Sequence, residues 1–367
     1  MRNVLRTLAV AATAVPVLGT VLSLIRHPHW IFRLWDFPRV QLAVTALIGG
    51  ASYLRFFARG KKRDAALLVP AALAVGWQIY KIRPYTKLVR KQVKAASKLD
   101  PKNTISVMIS NVLMENEEHG RLIALVEERK PDVLMVVETD HRWAESLDEH
   151  LSADYPHRVA QPQDNWYGLM LFSRLELKDY SIEFLIQEDI PSAHARVVLP
   201  SGVEVELHLL HPRPPEPVRD QRSTPRDAEL IVMGKSIEKK RDTPVIVAGD
   251  LNDVAWSETS QLFVRMSGLL DPRIGRGFYN SYNAKNPLAR FPLDHIFHSK
   301  HFKLIRLERL PAIGSDHFPI YAELLYAPEA PAEQKPSKKK PGDEEQVENR
   351  LEKEREDAAT GADRPSR

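Results

Sequence analysis

Nineteen consecutive residues, Thr7 to Ile25, carry no charge. A helix of about 20 apolar residues is long enough to cross the hydrocarbon core of a bilayer. Two more apolar runs follow. One extends from Pro38 to Phe57, interrupted by Arg39 and Arg55, and the other from Ala65 to Tyr80. A signal peptide would account for the first run, but no small-residue cleavage site follows it and further apolar runs do. Trp30, Trp35 and Trp77 sit near run ends, where amphipathic rings settle at the membrane interface. A buried helical hairpin is the soluble alternative. Three runs so close together, separated by basic loops, favour three membrane spans.

Charge divides the chain in the same way. Residues 1–100 hold 17 Lys+Arg against 3 Asp+Glu, residues 101–327 hold 26 against 34, and residues 328–367 hold 9 against 11. The net charge of +4 therefore conceals an acidic middle behind a basic start. The loop Arg59-Gly60-Lys61-Lys62-Arg63 reads as cytoplasmic by the positive-inside rule, which with three spans places the rest outside. Lys81, Arg83, Lys87, Arg90, Lys91, Lys94 and Lys98 argue the other way; a long translocated domain can override such charges, so the two signals conflict. The absence of cysteine excludes disulfides, thiolate metal sites and Cys nucleophiles.

From Thr104 short apolar runs alternate with segments of helical spacing. TISVMISN reads as a strand ending at Asn111, HGRLIALVEERK as a helix, DVLMVVE as a buried strand ending at Glu138, and VIVAG as another ahead of Asp250. This alternation predicts an α/β domain. We divide the chain into an apolar anchor at 1–83, a basic linker at 84–102, a folded domain at 103–327 and a tail at 328–367. The tail has almost no apolar residue, which predicts disorder, with a short helix around Glu344 to Asp357.

Polar residues recur where the buried strands stop. Asn111 follows VMIS, Glu138 follows VLMVV, His211 follows LHLL, and Asp250 and Asn252 follow VIVAG. Asp294 sits in PLDHIF, and Asp316 and His317 in IGSDHFPI. Open α/β sheets build their sites at strand ends. A lone Asp or Asn there is ordinarily a cap or turn residue; capping does not account for the ordered set.

The set resembles the endonuclease/exonuclease/phosphatase superfamily, which includes pancreatic-type deoxyribonucleases, apurinic endonucleases, inositol polyphosphate 5-phosphatases and neutral sphingomyelinases. The matching pieces are SNVL at 110–113, VVET at 136–139, YGLMLFSR at 167–174, LLHP at 209–212, GDLND at 249–253, LDHIF at 293–297 and GSDHFP at 314–319. The resemblance implies a four-layer sandwich of two mixed β-sheets flanked by helices, here preceded by the transmembrane segment. It also implies a divalent-metal phosphoesterase site. Position by position, it makes Glu138, Asn111 and Asp316 metal-binding. Asp250 becomes the base for the attacking water, Asn252 an orienting group, His211 and His317 stabilisers of phosphoryl charge, and Asp294 the partner of His317. Chemistry agrees. Mg²⁺ prefers carboxylates and water, and it neutralises phosphoryl oxygens that repel an anionic nucleophile. Mg²⁺ is the expected cofactor, with Mn²⁺ as a substitute.

Other residues compete for roles. His208, three before His211 on a strand, reads as a surface histidine facing the opposite way. Asp253 and Asp140 read as caps, Trp256 as core, and Asn165 and Tyr167 as pocket lining or loop structure. Arg226, Arg273 and Arg276 are candidates to clamp a second phosphate, with a solvated face as the equal alternative.

Nucleic-acid binding draws most of its affinity from neutralising phosphates, and the acidic domain disfavours it. The Pro-x-Trp-Cys-Asp-Arg signature of inositol phosphatases is replaced by PLDHIF. An anchored site favours a membrane-borne substrate by raising its effective concentration. The expected function is hydrolysis of a phosphodiester or pyrophosphate of a lipid or lipid-linked substrate. The expected place is a bacterial inner membrane, multi-pass, with the catalytic domain periplasmic or extracellular. A nuclease is the second reading and an inactive membrane scaffold the third.

Overall fold

The computed structural model describes residues 1–217 and 221–361. The apolar runs form α1 (Arg2–Leu24), a single turn α2 (Trp30–Arg33), α3 (Arg39–Phe56) and α4 (Lys62–Ile82). The long helices pack through small residues, among them Ala9, Ala43, Ala46, Ala71 and Ala74, which let backbones approach closely. Leu8, Leu18, Leu47, Ile48, Leu73 and Ile79 remain exposed. Helices α1 and α4 are long and apolar enough to cross a membrane. The second run, expected as a span, does not reach that standard: α3 is long enough at 18 residues, but Arg39, Gln41 and Arg55 make it too polar. Arg39 is buried, paired with Asp36 and donating to Gln78 Oε1 (2.9 Å), while Gln78 donates to Thr20 Oγ1 (2.8 Å). This network ties the near ends of the three helices together.

The α/β part begins with β1 (Thr104–Asn111), α5 (His119–Arg129), β2 (Val133–Val137), α6 (His141–Leu151), β3 (His157–Gln161) and β4 (Leu169–Ser173). It continues with β5 (Leu177–Glu183), β6 (Ser192–Val198), β7 (Glu204–Leu209), α7 (Thr224–Glu238), β8 (Val245–Asp250) and α8 (Glu258–Ser267). Strands β9 (Asp294–His298), β10 (Phe302–Arg309) and β11 (Ile320–Tyr326) complete it. One sheet has the order β10-β11-β1-β2-β4-β3 and the other β5-β6-β7-β8-β9. Both are mixed. Each contains one parallel pair, β1/β2 and β7/β8, among antiparallel neighbours.

Alternation of side chains builds the layers. Ile105, Val107 and Ile109 of β1 and Val205, Leu207 and Leu209 of β7 meet between the sheets, as a two-residue period requires. Met108, Leu134 and Val136 turn outward onto α5 and α6, where Trp143 is fully buried. Val245 and Val247 turn outward onto Leu230, Met233 and Phe263 of α7 and α8. The result is the expected four layers. Helix α5 links β1 to β2 and α7 links β7 to β8, so both strands of each parallel pair end at the edge where the crossover begins.

The N-terminal segment is joined to this domain. Tyr85 is buried, donates to the Ala255 carbonyl (2.7 Å) and meets Trp256 edge-on. Trp256 Nε1 donates to the Asp36 carbonyl (2.7 Å), so Trp256 is core, as expected, and couples the helices to the loop after β8. The basic segment at 84–102 is also tied down: Val93 lies in the inter-sheet core and Ala96 N donates to the Leu304 carbonyl (2.9 Å).

The tail departs from the expected disorder. After the turn α9 (Ala330–Glu333), α10 (Asp343–Thr360) packs on α7 and α8. Val347 is buried against Ile231, Leu262 and Met266. Arg265 grips Asp343 with two bonds of 2.8 and 2.9 Å, and Thr224 donates to Asp357 (2.9 Å). Few apolar residues suffice here because a groove and two cationic partners, Arg265 for Asp343 and Arg222 for Asp357, await them, which composition does not reveal.

Candidate active site

The ends of the central strands converge at one edge. Asn111 closes β1 and Asp250 closes β8; Glu138 follows β2 and His211 lies two residues past β7. Their approach is tight. A Cβ on Gly249 would lie 1.9 Å from the Leu210 carbonyl oxygen, and one on Gly168 equally close to the Thr139 carbonyl. Glycine is therefore required beside both carboxylates. Glu138 and Asn252 themselves adopt left-handed φ values of 63° and 50°, a strain found preferentially at functional sites.

Hydrogen bonds knit the group. Asn111 Nδ2 donates to Glu138 Oε1 (2.7 Å) and Asp250 Oδ2 (3.0 Å), while its Oδ1 accepts from Leu113 N. Asp250 Oδ1 accepts from Asn252 N (2.9 Å), and Asn252 Nδ2 donates to the Pro212 carbonyl (3.0 Å). His317 Nδ1 lies 2.7 Å from Asp294 Oδ2, and its Nε2 lies 3.5 Å from Asp250 Oδ2. His211 Nε2 is 4.0 Å from both Glu138 and Asp250, and its Nδ1 is buried without a partner. Seven of the eight expected residues thus form one cluster. Asp316 stands at its margin, half-buried, with its backbone carbonyl accepting from Ala284 N (2.7 Å).

Sequence reasoning passed over three supports. Ser315 Oγ donates to the Asn111 carbonyl and accepts from His317 N, both at 2.9 Å. Ser281 Oγ accepts from Asp294 N (2.9 Å). Tyr282 packs on His317 with ring centres 5.0 Å apart. The Ser-Asp-His triplet was a signal for Ser315; nothing local marks Ser281 or Tyr282. Tyr167 lies 5.4 Å from the His211 ring, so it lines the site.

Burial sets the electrostatics. It raises the Glu138 carboxyl to about 7, against the stabilising Asn111 N–H, and lowers His211 to about 4 despite Asp250. Burial also opposes charge on His317, but Asp294 and Asp250 outweigh it and raise the imidazole to about 10. Burial raises Asp294 as well. We place the shared proton on His317, where the second carboxylate, Asp250, favours the cation.

A divalent cation fits this donor set. Glu138, His211 and Asp250 each offer a ligand atom within 4.8 Å of the others. The two carboxylates suit a hard cation, and the neutral imidazole adds a borderline nitrogen donor. Asp250, Asp294 and His317 form a second group within the same distance, but there the histidine is engaged by Asp294. Asn111 turns its N–H toward the carboxylates.

Three expectations fail here. Arg226 is fully buried, donating to Asp227 Oδ1 (2.8 Å) and the Asn252 carbonyl (2.8 Å), with Asp253 at 3.6 Å. Arg273 is held by Asp271 (2.9 Å) and contacts His295. Arg276 donates to the Pro272 and Val93 carbonyls. None of the three clamps a phosphate; each balances a buried carboxylate or carbonyl. His208 is buried too, not on the surface. It lies directly across β6/β7 from His194, with Nδ1 atoms 2.7 Å apart. Asp140 caps α6 through Trp143 N (2.8 Å), as expected. Arg226→Ala would leave Asp253 buried without its cation and Asp227 with Arg350 alone (3.4 Å), and about 3–5 kcal/mol of stability is expected to be lost in urea unfolding.

The sequence matches the Endonuclease/Exonuclease/phosphatase family over residues 108–317. The chain belongs to this family. It is accordingly a metal-dependent hydrolase acting on phosphate ester bonds. Solved structures agree on the fold. D. rerio TDP2 complexed with single-strand DNA product is 18% identical at a TM-score of 0.50, covering 60% of this chain and 98% of its own. An endonuclease/exonuclease/phosphatase family protein from Bacteroides thetaiotaomicron is 17% identical at 0.50, covering 62% and 96%. The human Nocturnin catalytic domain with bound sulfate is 18% identical at 0.48, covering 62% and 97%. No curated protein sequence matches.

Proposed function

We propose a membrane-anchored, Mg²⁺-dependent phosphoesterase that hydrolyses a phosphodiester or pyrophosphate of a lipid or lipid-linked substrate. One observation carries the lipid assignment. The loop that touches the catalytic histidine also touches the foot of the helical segment. Tyr282 packs on His317, and nine residues later, across the hairpin, Phe291 meets Phe37 edge-on at 5.7 Å. At the tip, the Leu288 carbonyl accepts from Gln41 Nε2 (2.9 Å) while the Leu288 side chain is 81% exposed. An apolar tip beside the start of α3 suits insertion into an interface.

The anchor is supported by the bundle's outward apolar face, which water would not tolerate over so large a patch. The chain passes up α1, back down α3 and up α4, so Arg2, Arg6 and the Arg59–Arg63 loop share the far end. By the positive-inside rule that end is cytoplasmic and the catalytic domain lies on the outer side of a bacterial inner membrane.

In this reading Glu138, Asp250 and His211 hold Mg²⁺, with Mn²⁺ as a substitute; when bound, the ion neutralises phosphoryl charge. Asn111 orients the Glu138 and Asp250 carboxylates, and Asp316 reaches the site through water. Asp250 takes a proton from the attacking water, Asn252 helps to position it, and His317, held by Asp294, stabilises developing charge. A nuclease is the second reading, favoured by the likeness to D. rerio TDP2 in its complex with single-strand DNA product and opposed by the acidic domain.

The test is turnover by the detergent-solubilised chain with Mg²⁺ or EDTA. The substrates are bis-p-nitrophenyl phosphate, phospholipids, undecaprenyl pyrophosphate and plasmid DNA. Metal-dependent release from a lipid is expected; cleavage of DNA alone would establish the nuclease, and a folded protein inert on all would overturn the lipid reading in favour of the scaffold or a substrate outside this set. Metal affinity has its own signature. Below about 7 the Glu138 proton must be displaced, so Mg²⁺ affinity is expected to fall about tenfold per pH unit there and level off above. Calorimetry with an affinity independent of pH would remove Glu138 from the metal site.

A further inference from the structure

With Arg226, Arg273 and Arg276 committed to buried partners, a different pair of cations meets at the residue that follows His317. Arg290 and Arg309 both lie over the ring of Phe318, the residue after His317, at 5.1 and 4.4 Å from its centre. They reach it from separate elements. Arg290 sits at the base of the hairpin loop whose Tyr282 packs on His317, and Arg309 ends β10, in register with Ile320 at the start of β11.

Neither is paired with a carboxylate among the described residues. Arg290 Nε donates to the Asn283 carbonyl (3.3 Å) and Arg309 Nη1 to the Asn280 carbonyl (3.1 Å). Arg213, Arg226, Arg265 and Arg273 are each matched by an Asp or Glu, whereas half-buried Arg290 and exposed Arg309 are held by carbonyls and converge on one ring. Two guanidiniums on one ring repel each other, and burial together with Arg290 lowers the Arg309 pKa. One arginine would cover Phe318. A second, drawn toward the first and left without an anion, is explained by an anion that arrives with the substrate.

We infer that Arg290 and Arg309 form an anion subsite beside His317 that takes the non-scissile phosphate of a diphosphate substrate. The inference rests on the phosphoesterase reading above and narrows it, from phosphodiester or pyrophosphate to pyrophosphate. The scissile phosphate lies at Asp250 and His317, and the leaving phosphate is gripped one residue further along the chain. The exposed Leu288 at the tip of the same hairpin places the lipid portion on that side, so a prenyl-type diphosphate fits better than a nucleoside diphosphate.

The experiment compares two inhibitors of bis-p-nitrophenyl phosphate hydrolysis by the full chain in detergent, at fixed free Mg²⁺. These are inorganic phosphate and methylenediphosphonate. The wild type is expected to bind the diphosphonate about tenfold or more tightly than phosphate. In Arg290→Gln/Arg309→Gln the ratio is expected to fall to near one, and in Arg290→Lys/Arg309→Lys to lie between. Each ratio is internal to one protein, so a general loss of folding or turnover cancels. Equal inhibition in the wild type, or a ratio unmoved in the double glutamine variant, overturns the subsite. Failure to hydrolyse both bis-p-nitrophenyl phosphate and undecaprenyl pyrophosphate overturns the phosphoesterase reading instead; activity on the pyrophosphate alone moves the same inhibitor comparison to that substrate. Farnesyl diphosphate and thymidine diphosphate are then compared as competitors. Tighter binding of farnesyl diphosphate supports the lipid source, and tighter binding of thymidine diphosphate overturns it.

Discussion

Asp250→Asn is expected to lower kcat on bis-p-nitrophenyl phosphate about 10³–10⁴-fold while the protein stays folded. The carboxylate ends a buried strand and is surrounded by groups that fix both oxygens. Asn252 N donates to Oδ1, Asn111 Nδ2 donates to Oδ2, and His317 Nε2 lies 3.5 Å from Oδ2. Asparagine preserves the shape and the bond from Asn252 N, but it cannot take a proton from water. The same residue belongs to both groups of candidate ligand atoms, so loss of rate alone would not separate a base from a ligand. Mg²⁺ titration of the variant does. Wild-type affinity with lost turnover identifies the base, and parallel loss of both identifies a ligand. Near wild-type turnover would remove Asp250 from the chemistry altogether.

The catalytic strands were legible because their tips break a strong local rule. Runs such as VMIS, VLMVV and VIVAG are buried on both faces, so a polar residue at each end needs a reason beyond the strand itself. Gly249 carried a second signal, since a close approach of backbones admits no side chain there. What sequence could not supply was the partner. Arg226 sits on the same helix as Asp227 and could have been solvated; only the packing of α7 over the loop after β8 brings Asp253 to it. Asp343 and Asp357 read as part of a charged tail, yet Arg265 and Thr224 receive them. His208 alternates away from the inter-sheet core, which predicts solvent. That face of β7 instead meets His194 across the ladder. The helical segment was legible as apolar, but its use of Arg39 was not. A charge that argues against a span is sheltered by Asp36 and Gln78 at the end nearest the catalytic domain. These cases share one cause: a polar or charged side chain that a sequence would leave in solvent, or hold against a membrane span, was given buried partners by the packing of several elements.

His317→Ala is expected to lower kcat about 10²–10³-fold, and its pH behaviour distinguishes a charge stabiliser from a general base. Asp294 and Asp250 hold the imidazole at about 10 against the cost of burial. A raised pKa keeps the cation present at every pH below that value and loses it only as pH rises through about 10. The wild-type kcat/KM profile should therefore show no limb from His317 between about pH 6 and 9. Asp294→Asn removes the largest interaction favouring the cation while the ring stays in place beside Tyr282 and Ser315. Its imidazole falls back toward the ordinary value of about 6.5, so activity should decline as pH rises through about 7–8 and recover on acidification. A merely structural Asp294 would lower the rate equally at every pH. If both proteins share one alkaline limb, the Asp294 carboxylate does not hold the proton on His317. A wild-type profile that rises through about 7 because His317 loses a proton would instead make it the base, leaving Asp250 to the metal.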